Sequence, residues 1–216
     1  MRAFLTSLVV FFSLLRISQG ATVFFEKHIE TEGGPRTWAY ELGVAFITPN
    51  EIENFLFIND TVSRADGPAG GEIYTFTASR RLGQLVWKIG DHTFTPQLEL
   101  PFTMELVNEN AGNTFMAFAG SFNVRWIDFP WNDYVKTSFS MGVGLNYSDE
   151  IYLMDQIRHP GNDRSRLKFN WPIQATFAFS DYPDDQLMLF IIHHSGGRLF
   201  DHGGLNALGI GYRRDF

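Results

Sequence analysis

Two histidines and a serine follow one another at the end of an apolar run, in the stretch IIHHSGGRLFDHGGLN at residues 191–206. If the run is a strand, His193 and Ser195 share one face, with Cα atoms about 6.5–7 Å apart. An imidazole can reach across that gap and take the hydroxyl proton, which a nucleophilic serine requires. The pair predicts nucleophilic catalysis. The alternative is an ordinary strand end followed by a glycine turn.

The residues that follow can supply the remaining parts of such a site. The backbone N–H groups of Gly196 and Gly197 are candidates for stabilising an oxyanion. Asp201, in the next turn, is the candidate for orienting His193. These assignments require the serine and histidine side chains to point toward the substrate. They therefore depend on the orientation of the strand that carries them.

Composition excludes several other kinds of chemistry. The chain has no cysteine, so it has neither a thiol nucleophile nor a cysteine-based metal site. Its net charge of −7 argues against nucleic-acid binding, which needs a basic face for the phosphates. His193, Asp201 and His202 are conceivable metal ligands, but their spacing defines no ligand geometry. We expect neither a metal nor a cofactor.

Large and small side chains alternate with a period of two along most of the chain. In residues 135–148, VKTSFSMGVGLNYS, the larger and mostly apolar side chains occupy odd positions, and small or polar ones occupy even positions. Such alternation predicts strands with one apolar and one polar face. Eight strands are predicted, at 36–48, 72–82, 93–107, 113–127, 135–148, 166–180, 186–196 and 204–216. An even number of antiparallel strands suits a closed up-and-down barrel.

The same alternation fits a soluble lipocalin-like barrel with an apolar interior, or a transmembrane barrel with a polar lumen and an apolar exterior. Strands longer than the ~9–11 residues that cross a bilayer, with aromatic residues near their ends, favour the second. The polar face also mixes small residues with charges of both signs. The charges predicted to form a lumen network are Glu41, Arg81, Glu99, Glu105, Arg125, Lys136 and Lys168.

We therefore predict an all-β, eight-stranded antiparallel transmembrane β-barrel. In one strand the alternation does not distinguish the outward face from the inward face, because residues 187–192 are apolar on both sides. Its own pattern does not show whether His193 points to lipid or to the lumen.

The end of the chain resembles known bacterial barrels. The segment LGIGYRRDF, which ends in Phe216, looks like the C-terminal signal of outer-membrane barrels. An H-x-S pair near the outer end of the penultimate strand, a turn rich in Gly and Asn, and such a last strand resemble the lipid A deacylase family. The same ending is similar to barrel proteins labelled acyloxyacyl-hydrolase-like.

That resemblance implies an activity and a set of roles. In the family, a His–Ser–Glu triad on the outer wall of the barrel cleaves an ester-linked acyl chain from lipopolysaccharide. His193 matches the base and Ser195 the nucleophile. Gly196 stands where the family has Asn, and residues 203–216 contain no Glu. The triad is then either rebuilt around Asp201 or incomplete.

The first twenty residues have the pattern of a secretory signal peptide, with Arg2 before an apolar core and small residues before Ala21. We predict a signal peptide at 1–20, a periplasmic segment at 21–35 and the barrel at 36–216, in the bacterial outer membrane. Both chain termini are then periplasmic, and the long loops 49–71 and 149–165 are external.

The leading hypothesis is an outer-membrane lipid esterase that deacylates lipid A, with lipopolysaccharide as its partner. The alternatives are a non-catalytic structural or binding barrel that acts through its loops, and a soluble lipid-binding barrel. The directions of His193 and Ser195 distinguish these hypotheses: the enzyme requires them to point outward, whereas inward-pointing side chains would belong to the lumen.

Overall fold

The computed structural model describes residues 22–27, 36–52, 61–158, 160–161 and 164–216. The strands are β1 Thr22–Lys27, β2 Trp38–Thr48, β3 Gly71–Ile89, β4 His92–Phe94, β5 Gln97–Glu109, β6 Thr114–Trp126, β7 Val135–Ser148, β8 Leu167–Asn170, β9 Ile173–Phe179, β10 Asp185–Ser195 and β11 Gly204–Asp215, with a short helix, α1, at Leu153–Arg158. The predicted signal peptide lies outside the described residues. Within the described ranges, no helix has the length and apolar character needed to cross a bilayer.

The strands form a closed ring. Its order is β3-β2-β11-β10, then β8 and β9, then β7-β6-β5, and pairing of β5 with β3 closes it. Neighbouring strands are antiparallel throughout the ring. Because β8 and β9 share one position between β7 and β10, the ring has eight positions. The predicted eight-stranded antiparallel barrel is confirmed.

Three predicted strands differ from the structure. The predicted strand 93–107 is divided at Thr95 and Pro96 into β4 and β5. The predicted strand 166–180 is interrupted at Trp171 and Pro172, because proline has no N–H to donate to a ladder. The predicted strand 72–82 instead continues to Ile89. A register shift between Arg81 and Gly83 exchanges the two faces there, so simple alternation stops where the strand does not. This extension pairs with β1, which lies within the predicted periplasmic segment.

We call the two ends of the barrel the loop end and the turn end. The loop end carries the connections 49–70, 110–113, 149–166 and 196–203, and the turn end carries 90–96, 127–134 and 180–184. Since β10 runs from the turn end to the loop end, its last residues lie beside the long connections. This is the placement predicted for His193 and Ser195.

The exterior of the barrel is apolar. Large apolar side chains on every long strand are exposed, among them Leu42, Phe76, Phe102, Phe139, Leu145, Leu189 and Ile210. Phe102 is 53% exposed, whereas the side chains that alternate with such residues are buried. Apolar surface on this scale needs hydrocarbon around it. The fold is therefore that of a transmembrane barrel, and the soluble alternative with an apolar interior is wrong.

A cluster of charged side chains fills the lumen toward the turn end. The Arg213 guanidinium contacts Glu41 and Glu99 at 2.7 Å and Asp215 at 2.9 Å. Arg125 Nε contacts Glu99 at 3.0 Å. Buried charges persist when they are paired and hydrogen-bonded, as here. This cluster blocks the lumen and ties four strands together.

The other predicted lumen charges lie at different depths. Arg81 is buried and joins the cluster through Asp215 at 3.2 Å. Glu105 and Lys168 are buried nearer the loop end. Lys136, in contrast, is exposed at the turn end and lines the opening of the lumen.

Small residues on the polar face make room for one large side chain. Phe190 points into the lumen and is 6% exposed. A Cβ atom at Gly43 or Gly209 would lie 2.6 or 2.3 Å from its ring. Glycine at these two positions therefore allows the neighbouring strands to pack against the ring.

Candidate active site

Strand β10 holds the two adjacent histidines on opposite faces of the wall. Exposure along the strand alternates, with Leu187 and Leu189 exposed and Met188 and Phe190 buried. Residues 193 and 195 continue the outward set, and both are partly exposed. His193 and Ser195 therefore point outward at the loop end, as the enzyme hypothesis requires.

A hydrogen bond orients His193, and its partner is the side-chain amide of Asn206. His193 Nδ1 lies 2.5 Å from Asn206 Oδ1. The Asn206 amide nitrogen donates to the Asn50 carbonyl at 2.8 Å, so the amide oxygen faces the imidazole. An oxygen acceptor needs a donor, which places the proton of the neutral ring on Nδ1.

The register of the last hairpin explains why Asn206 has this position. His193 pairs directly with Asn206 across β10 and β11. Asn206 is buried because the loop after β2 covers it. In that loop the Asn50 side chain accepts from Ser63 N at 2.9 Å and from Thr48 Oγ1 at 2.8 Å. The amide that orients the histidine is thus held in turn by the long loop.

The two glycines after Ser195 have different roles. The N–H of Gly197 donates to Ser195 Oγ at 3.2 Å and is therefore beside the reacting atom. The N–H of Gly196 donates instead to the Gly203 carbonyl at 2.8 Å and helps to close the hairpin. The oxyanion role predicted for Gly196 is therefore not supported by its geometry, whereas that of Gly197 is compatible with it.

The prediction that Asp201 orients His193 is wrong. Its carboxylate faces the barrel interior, where Lys168 Nζ lies at 2.6 Å and Ser165 N donates at 2.7 Å. Burial alone would raise the pKa of Asp201, but these bonds and one from Gly203 N lower it below its ordinary value. Asp201 anchors the turn to the barrel wall through its ion pair with the buried Lys168.

His194, on the inner face, belongs to a separate polar group that the sequence analysis did not identify. It is fully buried, with Nε2 3.4 Å from Glu105 Oε1 and Nδ1 3.3 Å from the Tyr152 hydroxyl. Tyr152 comes from the loop before α1 and also packs edge-on against Phe115. Burial raises the pKa of the Tyr152 phenol, which therefore stays protonated. This group closes the lumen under the loops.

An apolar patch adjoins Ser195 on the outer wall. Ser195 pairs with Phe169 of β8, whose ring lies 5.0 Å from that of Phe200. Leu199 beside them is 73% exposed. Arg198, next in the chain, is also exposed. A lipid chain and a charged headgroup can therefore both approach the serine.

The alternative of a metal site gains no support. Within the described part of the chain, no group of three or more His, Asp or Glu side chains could hold a metal ion. His202 is exposed, and Asp201 is engaged with Lys168.

The fold and this outward-facing site define the class of protein: a small transmembrane β-barrel with a polar pair on its lipid-facing wall. No protein-family model matches the sequence, and no curated protein matches it. Among solved structures, the barrel is similar to the outer membrane enzyme PagL, with a TM-score of 0.49, 16% identity, and coverage of 82% of this chain and 99% of that one. It is also similar to Neisserial surface protein A (NspA), with a TM-score of 0.47, 10% identity, and coverage of 92% and 100%. At these identities the likeness is one of fold.

Proposed function

We propose that the protein is a bacterial outer-membrane esterase that removes an ester-linked acyl chain from a lipid of the lipid A class. The observation that carries the proposal is the outward-facing pair His193 and Ser195, with the His193 ring oriented by Asn206 at 2.5 Å. A purely structural barrel has no need of an oriented imidazole next to a hydroxyl on its lipid face.

The proposed reaction uses the orientation of the histidine. His193 Nε2 takes the proton of Ser195 Oγ as that oxygen attacks the ester carbonyl. Asn206 keeps the Nδ1 proton in place, as an asparagine does beside the histidine of papain-like proteases. The imidazolium then returns its proton to the departing alcohol. Water, activated by the same imidazole, hydrolyses the acyl-serine and releases the fatty acid.

Other parts of the site support lipid as the substrate. We assign to the Gly197 N–H, which donates to Ser195 Oγ at 3.2 Å, the binding of the oxyanion that develops once Oγ joins the acyl carbon. Phe169, Phe200 and Leu199 offer an apolar surface to an acyl chain. Arg198 offers a positive charge to a phosphorylated headgroup.

A second candidate function, a non-catalytic barrel, is favoured by two specific observations. Gly196 N–H is committed to the hairpin, and the His193 ring bonds to an amide. In that function, the connections 49–70 and 149–166 bind a partner, and Ser195 is only a polar residue at the headgroup level.

Mass spectrometry of lipid A distinguishes the two functions. Lipid A from bacteria that produce the wild-type barrel should lack one ester-linked acyl chain, whereas Ser195→Ala should leave lipid A intact, a loss of about 10⁴-fold or more in rate. Ser180→Ala, at the turn end, is the matched control and should deacylate normally, because Ser180 donates to the backbone carbonyls of the 127–134 turn, at the opposite end of the barrel from Ser195.

The folded state of each variant is checked by its heat-modifiable mobility in gels, which should not change. Identical lipid A spectra with and without the wild-type protein would overturn the esterase proposal. Normal deacylation by the folded Ser195→Ala barrel would exclude this serine as the nucleophile.

A further inference from the structure

A small sheet projects from the barrel at the turn end. The last part of β3 forms its centre, with β1 paired to one edge and β4 to the other. We call residues 22–27, 83–89 and 92–94 together the apron. The 19 residues of β3 are about twice the ~9–11 that cross a bilayer, so the apron is not needed to span the membrane. Nothing in the proposed esterase reaction uses it, since Ser195 lies at the opposite end of the barrel.

One face of the apron continues the lipid-facing wall of the barrel. The bulge near Gly83 exchanges the faces of β3 and so brings Trp87 to the outside. Trp87 pairs with Phe94, whose ring lies 5.1 Å from that of Trp126. Trp126 in turn pairs with Phe139, an exposed residue of the wall. The outer face of the wall thus continues onto the apron through these aromatic residues.

The two faces of the apron differ in polarity. The exposed or half-buried apolar side chains that share the outward face are Val23, Phe25, Leu85, Trp87 and Ile89. On the other face, Gln84 donates to Glu26 at 3.0 Å. Lys88 Nζ lies on that face too, 5.7 Å from the centre of the Phe24 ring. As in an amphipathic helix that rests on a membrane, one face is suited to lipid and the other to water.

The apron begins where exposed aromatic residues surround the barrel. Trp38, at the start of β2, and Tyr134, just before β7, are exposed at this end. The Arg80 guanidinium lies 5.0 Å over the Trp38 ring. Aromatic belts of this kind lie at the headgroup level of a bilayer. Because the strands of such barrels are tilted by about 35–45°, an extended strand leaves that level obliquely and stays close to the membrane surface.

From this continuity and this separation of polar from apolar side chains, we propose that the outward face of the apron is buried in the lipid leaflet at the turn end, among the headgroups and the first acyl carbons. The apolar belt of the barrel is then taller on the side of β3 than on the opposite side. Such a mismatch is relieved by tilting the barrel or by thickening the leaflet locally. Lipid, rather than a second copy of the chain or another protein, covers this face.

Spin labels on single introduced cysteines test the proposal, because the chain has no cysteine of its own. The full chain is reconstituted into dioleoylphosphatidylcholine vesicles. Electron paramagnetic resonance then compares how often each label collides with oxygen, which concentrates in lipid, and with a water-soluble nickel chelate. Labels at Val23→Cys and Phe25→Cys should lie about 5–10 Å inside the membrane surface, the depth of amphipathic elements that rest in the interface.

Two further labelled variants calibrate the result. Phe139→Cys, on the wall, is the lipid reference, and Lys88→Cys, on the other face of the apron, is the matched control and should report water. Each variant is first shown to keep the heat-modifiable mobility of the folded barrel.

The proposal is overturned if the labels at positions 23 and 25 collide with the chelate as often as the label at position 88, since the apron then lies in water. Labels that collide with neither reagent would also overturn it, because another protein chain would then cover the face. Ser195 lies at the other end of the barrel, so neither result bears on the esterase reaction.

Discussion

His193 and His194 are neighbours in the chain but lie in different surroundings. His193 points out of the wall, is partly exposed and bonds to the Asn206 amide. His194 points into the lumen, is fully buried and lies between Glu105 and Tyr152. The pleat of one strand separates a residue suited to catalysis from a residue that closes the barrel.

The two faces of this wall can therefore be altered independently. Outward side chains at the loop end make few contacts within the lumen, so changing them should alter activity and leave the barrel folded. Inward side chains belong to buried polar groups whose members need one another. Changing them should alter stability and leave the chemistry largely intact.

Between the two faces, the largest expected difference is in the histidine pair. His193→Ala should lower the deacylation rate by about 10²–10⁴-fold, because the general base is lost. His194→Ala should lower the rate little but destabilise the barrel by about 1–3 kcal/mol, because Glu105 and Tyr152 lose a buried partner. The rate is followed by release of fatty acid, and stability by urea-induced unfolding in micelles.

Equal losses of activity in two folded variants would contradict this division between faces. Loss of activity in His194→Ala together with normal activity in His193→Ala would also contradict it.

The second prediction concerns the lumen cluster. Arg213→Met should destabilise the barrel by about 3–5 kcal/mol, because Glu41 and Glu99 then remain buried without their main cation. Arg214→Met is the control: Arg214 is exposed and contacts Asp185 at the surface, so its loss should change the unfolding midpoint little. Similar unfolding midpoints for the two variants would show that the cluster does not hold the strands together.

The third prediction tests the amide that orients His193. Asn206→Leu should lower the rate by about 2–10-fold, the loss of a hydrogen bond worth about 0.5–1.5 kcal/mol. Asn206→Asp should move the acidic limb of the pH–rate profile to higher pH, because a carboxylate stabilises imidazolium. Asn108→Ala, at an exposed position on β5, should change neither quantity. An unmoved pH–rate profile in Asn206→Asp would mean that residue 206 has only a structural role.

The architecture was predictable because apolar and polar side chains alternate along each strand, with the apolar ones facing lipid and the polar ones facing the lumen. Phe139 and Lys168 lie on the faces expected of them, exposed and buried respectively. The predictions failed where alternation stops. Pro172 divides one strand because it cannot donate to the ladder, and the bulge near Gly83 exchanges the faces of β3.

The candidate site was predictable only in part. His193 and Ser195 stand out by type and spacing, but β10 is apolar on both faces and only the closed barrel shows their direction. Asp201 is the nearest acid in sequence, yet Lys168, distant in the chain, holds it inside. Asn206 does not stand out in the sequence, because a catalytic histidine is expected to have an acid as its partner. The register of the last hairpin, which pairs it with His193, was the signal that could have found it.

The smallest expected effect is on acid stability. Because the pKa of Asp201 is lowered in the folded protein, its ion pair with Lys168 stabilises the fold above the ordinary pKa of 3.8, and this stability is lost as the pH falls through the lower folded value. The melting temperature should therefore fall more between about pH 6 and about pH 3 in the wild type than in Asp201→Asn. Equal falls would show that this carboxylate does not anchor the turn.

Covalent labelling tests the central claim most directly. The folded wild-type barrel is treated with a long-chain alkyl fluorophosphonate, and phosphonylated peptides are identified by mass spectrometry. The account predicts phosphonylation of Ser195, with release of fluoride, in the wild type and in a folded His194→Phe variant, and none at that position in His193→Ala. An unlabelled Ser195 in the folded wild type, or equal labelling in His193→Ala, would contradict it.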